Sequence, residues 1–263
     1  MRLCTKINVN NKSQKTIFDF TKFSSIFPAL ILITTGMPKE SGQKSELINL
    51  INPKFRKILS NDIPARSGSV GGFIQNKPIV CGGKDDVWNY FQDCLVITDS
   101  FRSFNMREKR AQAASVVIDE DKLLVVGGSG GFHSNDAKTS IEIVTLDQPP
   151  VQGPYLPFTI AEHGMVQYNS SMIFIIGGFQ NGNKSERTWI MNPEKRYHVW
   201  EGPPMNIGRA VHGCGKMKVN GKYFIVVVGG SGVFDNCLDS VEFLDPTSDQ
   251  GWIWGELFGI DEI

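Results

Sequence analysis

Short apolar runs rich in Val, Ile and Leu recur along the chain, each closed by a pair of glycines: PIVCGG (78–83), LLVVGG (123–128), IFIIGG (173–178) and FIVVVGG (224–230). The second glycines, Gly83, Gly128, Gly178 and Gly230, lie 45, 50 and 52 residues apart. A weaker copy, LILITTG, ends at Gly36, 47 residues before Gly83, with Thr35 in place of the first glycine. Each run is too short for a helix and rich in β-branched residues, which predicts a strand buried on both faces. A polar loop follows each run, and then a second strand with near-alternation: ELINLINP, CLVITDS, SIEIVTLD, RTWIMNP and SVEFLDP. Three of these close on Asn-Pro or Asp-Pro, a turn signal, because proline sets φ for a turn and lacks the N–H of a sheet ladder. A third strand follows (FRKIL, FRSFN, YHVWEG, WIWGEL), and a further one (SVGGFIQ, AASVVID, HGMVQY, VHGCGKM) leads through tight turns such as Gln75-Asn76 or Asn220-Gly221 into the next apolar run. Four strands in roughly fifty residues, repeated, predict an all-β protein of four-stranded antiparallel blades arranged as a β-propeller.

The glycine pairs have a structural explanation. Where strands crowd near the centre of a propeller there is little room, and a sharp exit into a loop requires φ > 0, demands that glycine meets at least cost. A phosphate-cradling role is disfavoured, since neither a helix pattern nor Lys-Ser/Thr follows the pairs. At these residues the chain resembles the kelch family of β-propellers, within the galactose oxidase-like superfamily. The shared pattern is the apolar run with Gly-Gly, the Asp-Pro or Asn-Pro about fifteen residues on, the Trp of the last strand, and a Met or Pro followed by Arg before the next repeat. The fourth repeat shows it best, from IFIIGG through WIMNPEKRYHVWEGPPMNIGR to Arg209. The resemblance spans residues 26–258. It departs in the first repeat, which lacks one glycine, and in the third, where Pro149-Pro150-Val151-Gln152-Gly153-Pro154-Tyr155 replaces the Trp segment.

On this pattern residues 1–25 are an N-terminal segment, weakly structured or contributing one strand near Ile17 to Phe23, and residues 26–263 form a kelch-type propeller with about five visible blades. Kelch propellers more often close with six or seven, so two alternatives stand: a fragment of a six-bladed ring, or a complete five-bladed one.

Composition then narrows the function. The 263 residues carry 27 basic and 27 acidic side chains, so no bulk field recruits nucleic acid. Hydrophobic residues at 41% against 21% charged predict an ordinary core rather than disorder. The longest apolar run, Ile26 to Ile33, falls well short of a membrane span, so no membrane partner is expected. The first twenty residues lack the apolar stretch of an export signal. The protein is therefore expected to be cytoplasmic, or extracellular if its N-terminus is incomplete. Of five cysteines, Cys81 and Cys94 can face each other on adjacent strands and form a disulfide; two buried thiols are the alternative. The sequons at Asn11, Asn169 and Asn183 matter only in an exported protein.

The resemblance implies that the loops after the glycine pairs and those entering each first strand share one end of the channel. That end receives Arg66, Arg110, His163, Arg209 and His212 from the entering loops, and Trp88, Tyr90, Phe91, Phe132, His133, Phe179 and Phe234 from the post-glycine loops. Arginine and aromatic residues dominate interface energetics, so this set is the candidate surface for a protein or peptide partner. The alternative is that each Arg bonds loop carbonyls and each aromatic packs on its own blade. Oligomeric state is open. No metal and no cofactor are expected, because the four histidines are scattered and Gly-x-Ser-x-Gly and HExxH motifs are absent. No catalytic residue stands out. The competing function is a galactose oxidase-like or sugar-active enzyme, although none of the five tyrosines pairs with a cysteine as the copper oxidases require. The propeller half of BTB-containing ubiquitin-ligase adaptors is similar, but no BTB domain lies within these residues.

Overall fold

The computed structural model describes residues 66–97, 102–131 and 136–255, together with the strands Leu30–Ile33, Ser45–Asn49 and Arg56–Leu59. The expected N-terminal segment and the sequon at Asn11 lie outside the described residues. The described chain is all-β, a run of antiparallel meanders with a short turn of 3-10 helix at Pro193–Lys195. The first sheet carries the three strands above. The second is Val70–Ile74, Lys77–Cys81, Asp93–Val96 and Arg102–Asn105, and the third is Ala114–Ile118, Lys122–Val126, Ile141–Val144 and Val151–Gln152. Gly164–Asn169, Met172–Ile176, Thr188–Asn192 and His198–Glu201 form the fourth sheet; Gly213–Val219, Lys222–Val228, Val241–Leu244 and Trp252–Gly255 form the fifth. The proline-rich departure in the third repeat leaves its last strand only two residues long, because proline donates nothing to a ladder.

Turn chemistry sets the hairpins. Gln75-Asn76 (φ 49° and 60°) and Asn220-Gly221 (49° and 85°) both take two left-handed residues, the geometry that matches strand twist in a two-residue hairpin. The apolar runs become the second strand of each sheet, buried along four of five positions in the second, third and fourth sheets. In the fifth sheet the same strand is only partly buried.

Neighbouring sheets pack in chain order. Ile74, Ile79, Cys81, Cys94 and Val96 of the second sheet meet Leu123, Val125 and Val144 of the third. Leu124, Val126 and Ile141 meet Met165, Ile173, Ile175 and Met191 of the fourth. Val166, Phe174, Ile176 and Ile190 meet Ile225, Val227, Leu244 and Trp252 of the fifth. Burial of each aliphatic side chain contributes about 1.5–3 kcal/mol. The far face of the fifth sheet, with Val219, Val228 and Ile253, is exposed among the described residues.

The first strands of these four sheets lie side by side, Val70–Ile74 against Ala114–Ile118, then Gly164–Asn169, then Gly213–Val219. Just before each of them the backbone turns left-handed, at Gly68, Gln112, Glu162 and Val211. There the N–H of Gln112 donates to Gly68 O (2.7 Å), that of Glu162 to Gln112 O (2.8 Å) and that of Val211 to Glu162 O (2.9 Å). These bonds form a backbone belt linking four successive repeats at equivalent positions.

The glycine pairs sit against this belt, as expected from their need for φ > 0 and space. All eight residues have positive φ, between 60° and 96°. A Cβ on Gly82, Gly127 or Gly177 would stand 2.3, 2.4 or 2.6 Å from the carbonyl oxygen of Arg110, Ile160 or Arg209 in the next repeat. In these three pairs the first glycine is thus dictated by repeat-to-repeat packing. Cys81 and Cys94 are directly opposed and form the expected disulfide; Cys237 is also disulfide-bonded, and Cys214 is a free thiol whose pKa burial pushes up to about 12.

Candidate functional site

Entering and post-glycine segments pair at one end of the sheets. Ser67 bridges Lys84 and Ala111 bridges Ser129, while Ile160–Ala161 pairs with Phe179–Gln180 and Arg209–Ala210 with Ser231–Gly232. Cross-repeat contacts tie this end together: Tyr90 Oη donates to Gly131 O (2.7 Å), and Lys184 Nζ donates to Ser231 Oγ, Gly232 O and Asp235 Oδ1 (2.6, 2.7 and 2.5 Å).

The arginines expected to meet a partner are instead buried inside the wall. Arg110 donates to Gly127 O (2.8 Å), Ser140 Oγ (3.1 Å) and Glu142 Oε1 (2.5 Å), with both charged side chains 0% exposed. Arg209 repeats the arrangement on Gly229 O, Ser240 Oγ and Glu242 Oε1 at 2.8, 3.1 and 2.5 Å. Each glutamate also accepts backbone N–H groups of the preceding turn, Arg107 and Glu108 on Glu142 and Asn206 on Glu242. Arg66 is the looser version: it bonds Gly82 O and a two-pronged Asp93 whose side chain is 27% exposed, and its guanidinium lies 4.6 Å from the Phe91 ring centroid. A buried cation requires such partners, so these residues lock each entering segment to its own sheet.

The fourth repeat solves the same problem without charge. Ile160 stands where the arginine would, and Trp189 where the glutamate would. Gln180 then donates to Gly177 O (3.0 Å) and accepts from Trp189 Nε1 (3.2 Å), while Trp189 stacks on Phe158 with centroids 4.3 Å apart. One neutral amide satisfies the glycine carbonyl that guanidinium groups satisfy elsewhere.

His163 and His212 occupy one register on neighbouring repeats. Their Cβ atoms lie 2.6 and 2.8 Å from where a Cβ on Gly178 and Gly230 would be. All four of their ring nitrogens are buried without a hydrogen-bond partner among the described residues. Burial drives both pKa values down to about 3, aided by His212 beside His163 and by Arg209 beside His212. Both imidazoles are therefore neutral at pH 7.

Of the expected aromatics, Phe234 is 92% exposed and Trp88 38%. Tyr90 is largely buried, its hydroxyl committed to Gly131. Phe179 is half-buried, 5.7 Å from Lys184 Nζ. Phe132 and His133 lie outside the described residues. Val87 and Val233, unremarked in the sequence, add exposed apolar surface beside Trp88 and Phe234. The sequon residues Asn169 and Asn183 are exposed.

Three charged residues at this end escaped the sequence reading. Lys84 is only 8% exposed, its ammonium 3.5 Å from the Trp88 centroid and 5.6 Å from that of Tyr90, with no hydrogen bond or ion pair among the described residues. Burial lowers its pKa, opposed by Glu162. Glu162 occupies a belt position; Gln112 Nε2 donates to its Oε1 (2.5 Å), but its Oε2 is buried with no partner. Burial raises its pKa, against the pull of Lys184 and Lys84. Lys184 is the third. A position immediately after Gly-Gly was the signal for Lys84; nothing local marks Glu162.

Among the described residues no group of three or more His, Cys, Asp or Glu side chains is placed to hold a metal ion, and no helix is long and apolar enough to cross a membrane. No family model matches the chain, and no curated protein matches it in sequence.

Proposed function

We propose that the chain is a non-catalytic kelch-type β-propeller domain that binds a protein or extended peptide through the loops after its glycine pairs. The observation that carries this reading is the backbone belt from Gly68 through Gln112 and Glu162 to Val211, which keeps consecutive repeats in equivalent positions and gathers their loops at one end. Repeats that advance by the same contact around an axis are the construction of a propeller, and its loop end is where such folds bind. That end exposes Phe234, Val233, Trp88 and Val87, apolar side chains of the kind that anchor interfaces. Its arginines serve the wall, so the aromatics carry the contact. The Cys81–Cys94 disulfide and the exposed Asn169 and Asn183 favour an oxidising compartment.

Selection of a displayed random-peptide library against the whole chain tests this. Binders should lose about tenfold or more in affinity with Trp88→Ala or Phe234→Ala, the effect of an interface anchor. They should keep it with Lys195→Ala at the opposite end of the fourth sheet. Binders indifferent to both aromatic substitutions would refute the assigned face.

A further inference from the structure

We infer that the open flank of the fifth sheet is a docking site for an extended, uncharged strand of a partner protein, held by the Val211 carbonyl, the Gly230 N–H and a floor of two glycines. This surface is separate from the loop end proposed above.

Each of the three preceding repeats makes the same backbone contacts with a three-residue segment that enters the next one. The Gly83 N–H donates to Arg110 O (2.8 Å), and the Gln112 N–H donates to Gly68 O (2.7 Å). Ile160 and Glu162 repeat this on Gly128 and Gln112 (2.9 and 2.8 Å), and Arg209 and Val211 on Gly178 and Glu162 (2.8 and 2.9 Å). One segment thus offers a carbonyl, a small residue and an N–H. The fifth repeat keeps the receiving half of this contact. Val211 holds a left-handed φ of 56° in spite of its branched Cβ, and neither its carbonyl nor the Gly230 N–H has a backbone partner among the described residues. A Cβ on Gly229 would meet only its own repeat, at Leu238 O 3.3 Å away.

The first strands continue the pattern. A Cβ on Gly72, four residues past Gly68, would stand 2.6 Å from Cγ2 of Val117, which lies five past Gln112. A Cβ on Gly164, two past Glu162, would stand 2.5 Å from Sγ of Cys214, which lies three past Val211. A side chain of the incoming strand therefore rests on a glycine of the strand before it. The fifth repeat has glycine at both of these positions, Gly213 and Gly215, and the nearest atom to a Cβ on either is Val228 O, 3.8 Å from Gly213. Beside this floor the register sets Val226, Phe243 and Ile253 across one face, with Phe224 and Val228 along it. Lys222 and Asp245, the charges next to that face in sequence, pair with each other.

In the earlier repeats the equivalent face is covered by the following sheet, so the docking is continuous with an interface the molecule already builds three times. A second copy does not present the matching face through its second sheet, where Val80, Leu95 and Ile97 are already buried. An uncharged strand fits because the face offers no charge to meet one. It needs a small residue between its bonding C=O and N–H, and side chains about the size of Ser or Val three and five residues past the latter.

The test uses the whole chain and the capped peptide acetyl-Lys-Arg-Ala-Gln-Ala-Ala-Ser-Val-Val-Ile-Asp-amide, a copy of residues 109–119, followed by NMR at the Gly213, Gly215 and Gly230 amides. All three should shift and saturate. Aspartate in place of the peptide's second valine, or a methyl on its glutamine backbone nitrogen, should weaken binding about tenfold, the worth of one buried side chain or hydrogen bond. Gly215→Val fills the floor and should weaken it by a similar factor, with unmoved Gly83 and Gly128 amides showing that the variant folds. Peptides selected against the loop end should bind Gly215→Val as they bind the parent, which keeps the two surfaces distinguishable. No response at the three amides, or an affinity indifferent to all three changes, would overturn the inference. A concentration-dependent dimer, seen by sedimentation and lost with Gly215→Val, would give the flank to a second copy and overturn the choice of partner.

Discussion

Replacing Arg110 with methionine tests whether the arginines are wall or contact surface. Arg110 and Glu142 are both 0% exposed, and the guanidinium donates to Gly127 O, Ser140 Oγ and Glu142 Oε1. Without it, Glu142 keeps only the backbone N–H groups of Arg107 (2.7 Å) and Glu108 (3.1 Å), and the Gly127 carbonyl loses its side-chain donor. Stranding one member of a fully buried pair costs about 3–5 kcal/mol. With a urea m value of about 3 kcal/mol/M, the midpoint should fall by roughly 1–1.7 M. Adding Glu142→Gln removes the stranded charge while keeping an acceptor for the turn, so the double variant should recover about 2 kcal/mol of the loss. Arg66→Met supplies the comparison: Asp93 reaches water, so its loss should cost only about 1–2 kcal/mol. Urea titrations of the four proteins under non-reducing conditions decide the matter. Equal costs for Arg66→Met and Arg110→Met, or a double variant no more stable than Arg110→Met, would refute burial of the pair as the cause.

Other outcomes follow from the same wall. His163 and His212 titrate near 3 when folded, well below an unfolded imidazole near 6.5. Between those values the unfolded chain binds protons that the folded chain refuses, so stability should drop as pH falls, by about 1.4 kcal/mol per pH unit per histidine. His163→Gln should remove one such increment from the slope of the urea midpoint between pH 6 and 4, and an unchanged slope counts against a neutral buried ring. Gly127→Ala places a Cβ 2.4 Å from Ile160 O at φ 60°, whereas Gly221→Ala at φ 85° meets nothing within 4 Å. The second should cost only the left-handed penalty of about 1–2 kcal/mol, and the first more than twice that, read by thermal melts; equal costs would remove the packing argument. Reducing Cys81–Cys94, which are 13 residues apart, should lower stability by about 3 kcal/mol in the chain-entropy account, and a Cys81→Ala/Cys94→Ala variant as stable as the parent would contradict it.

The strands were legible because their signals are local. Val-Ile runs closed by glycine pairs, the Gln75-Asn76 and Asn220-Gly221 turns and the opposed cysteines all depend on residues within one meander. The short last strand of the third sheet was equally visible in its prolines. The site was legible as a place but not as a set of contacts. Arg66, Arg110 and Arg209 stood at the right positions, but their direction depends on carboxylates some 30 residues away on the third strand of each sheet. The neutral exchange in the fourth repeat, Ile160, Gln180 and Trp189 for Arg and Glu, has no signature in any one segment.

The amino-acid sequence alone therefore determined the repeat, the strand order within each sheet, the hairpin turns and the need for glycine at each pair, since side-chain alternation and left-handed φ are properties of a few adjacent residues. Only the tertiary structure decided which polar groups satisfy one another. The belt from Gly68 to Val211, the buried Arg–Glu pairs and the half-satisfied Glu162 carboxylate arise on folding, because burial and hydrogen bonding are settled by neighbours in space that lie far apart along the chain.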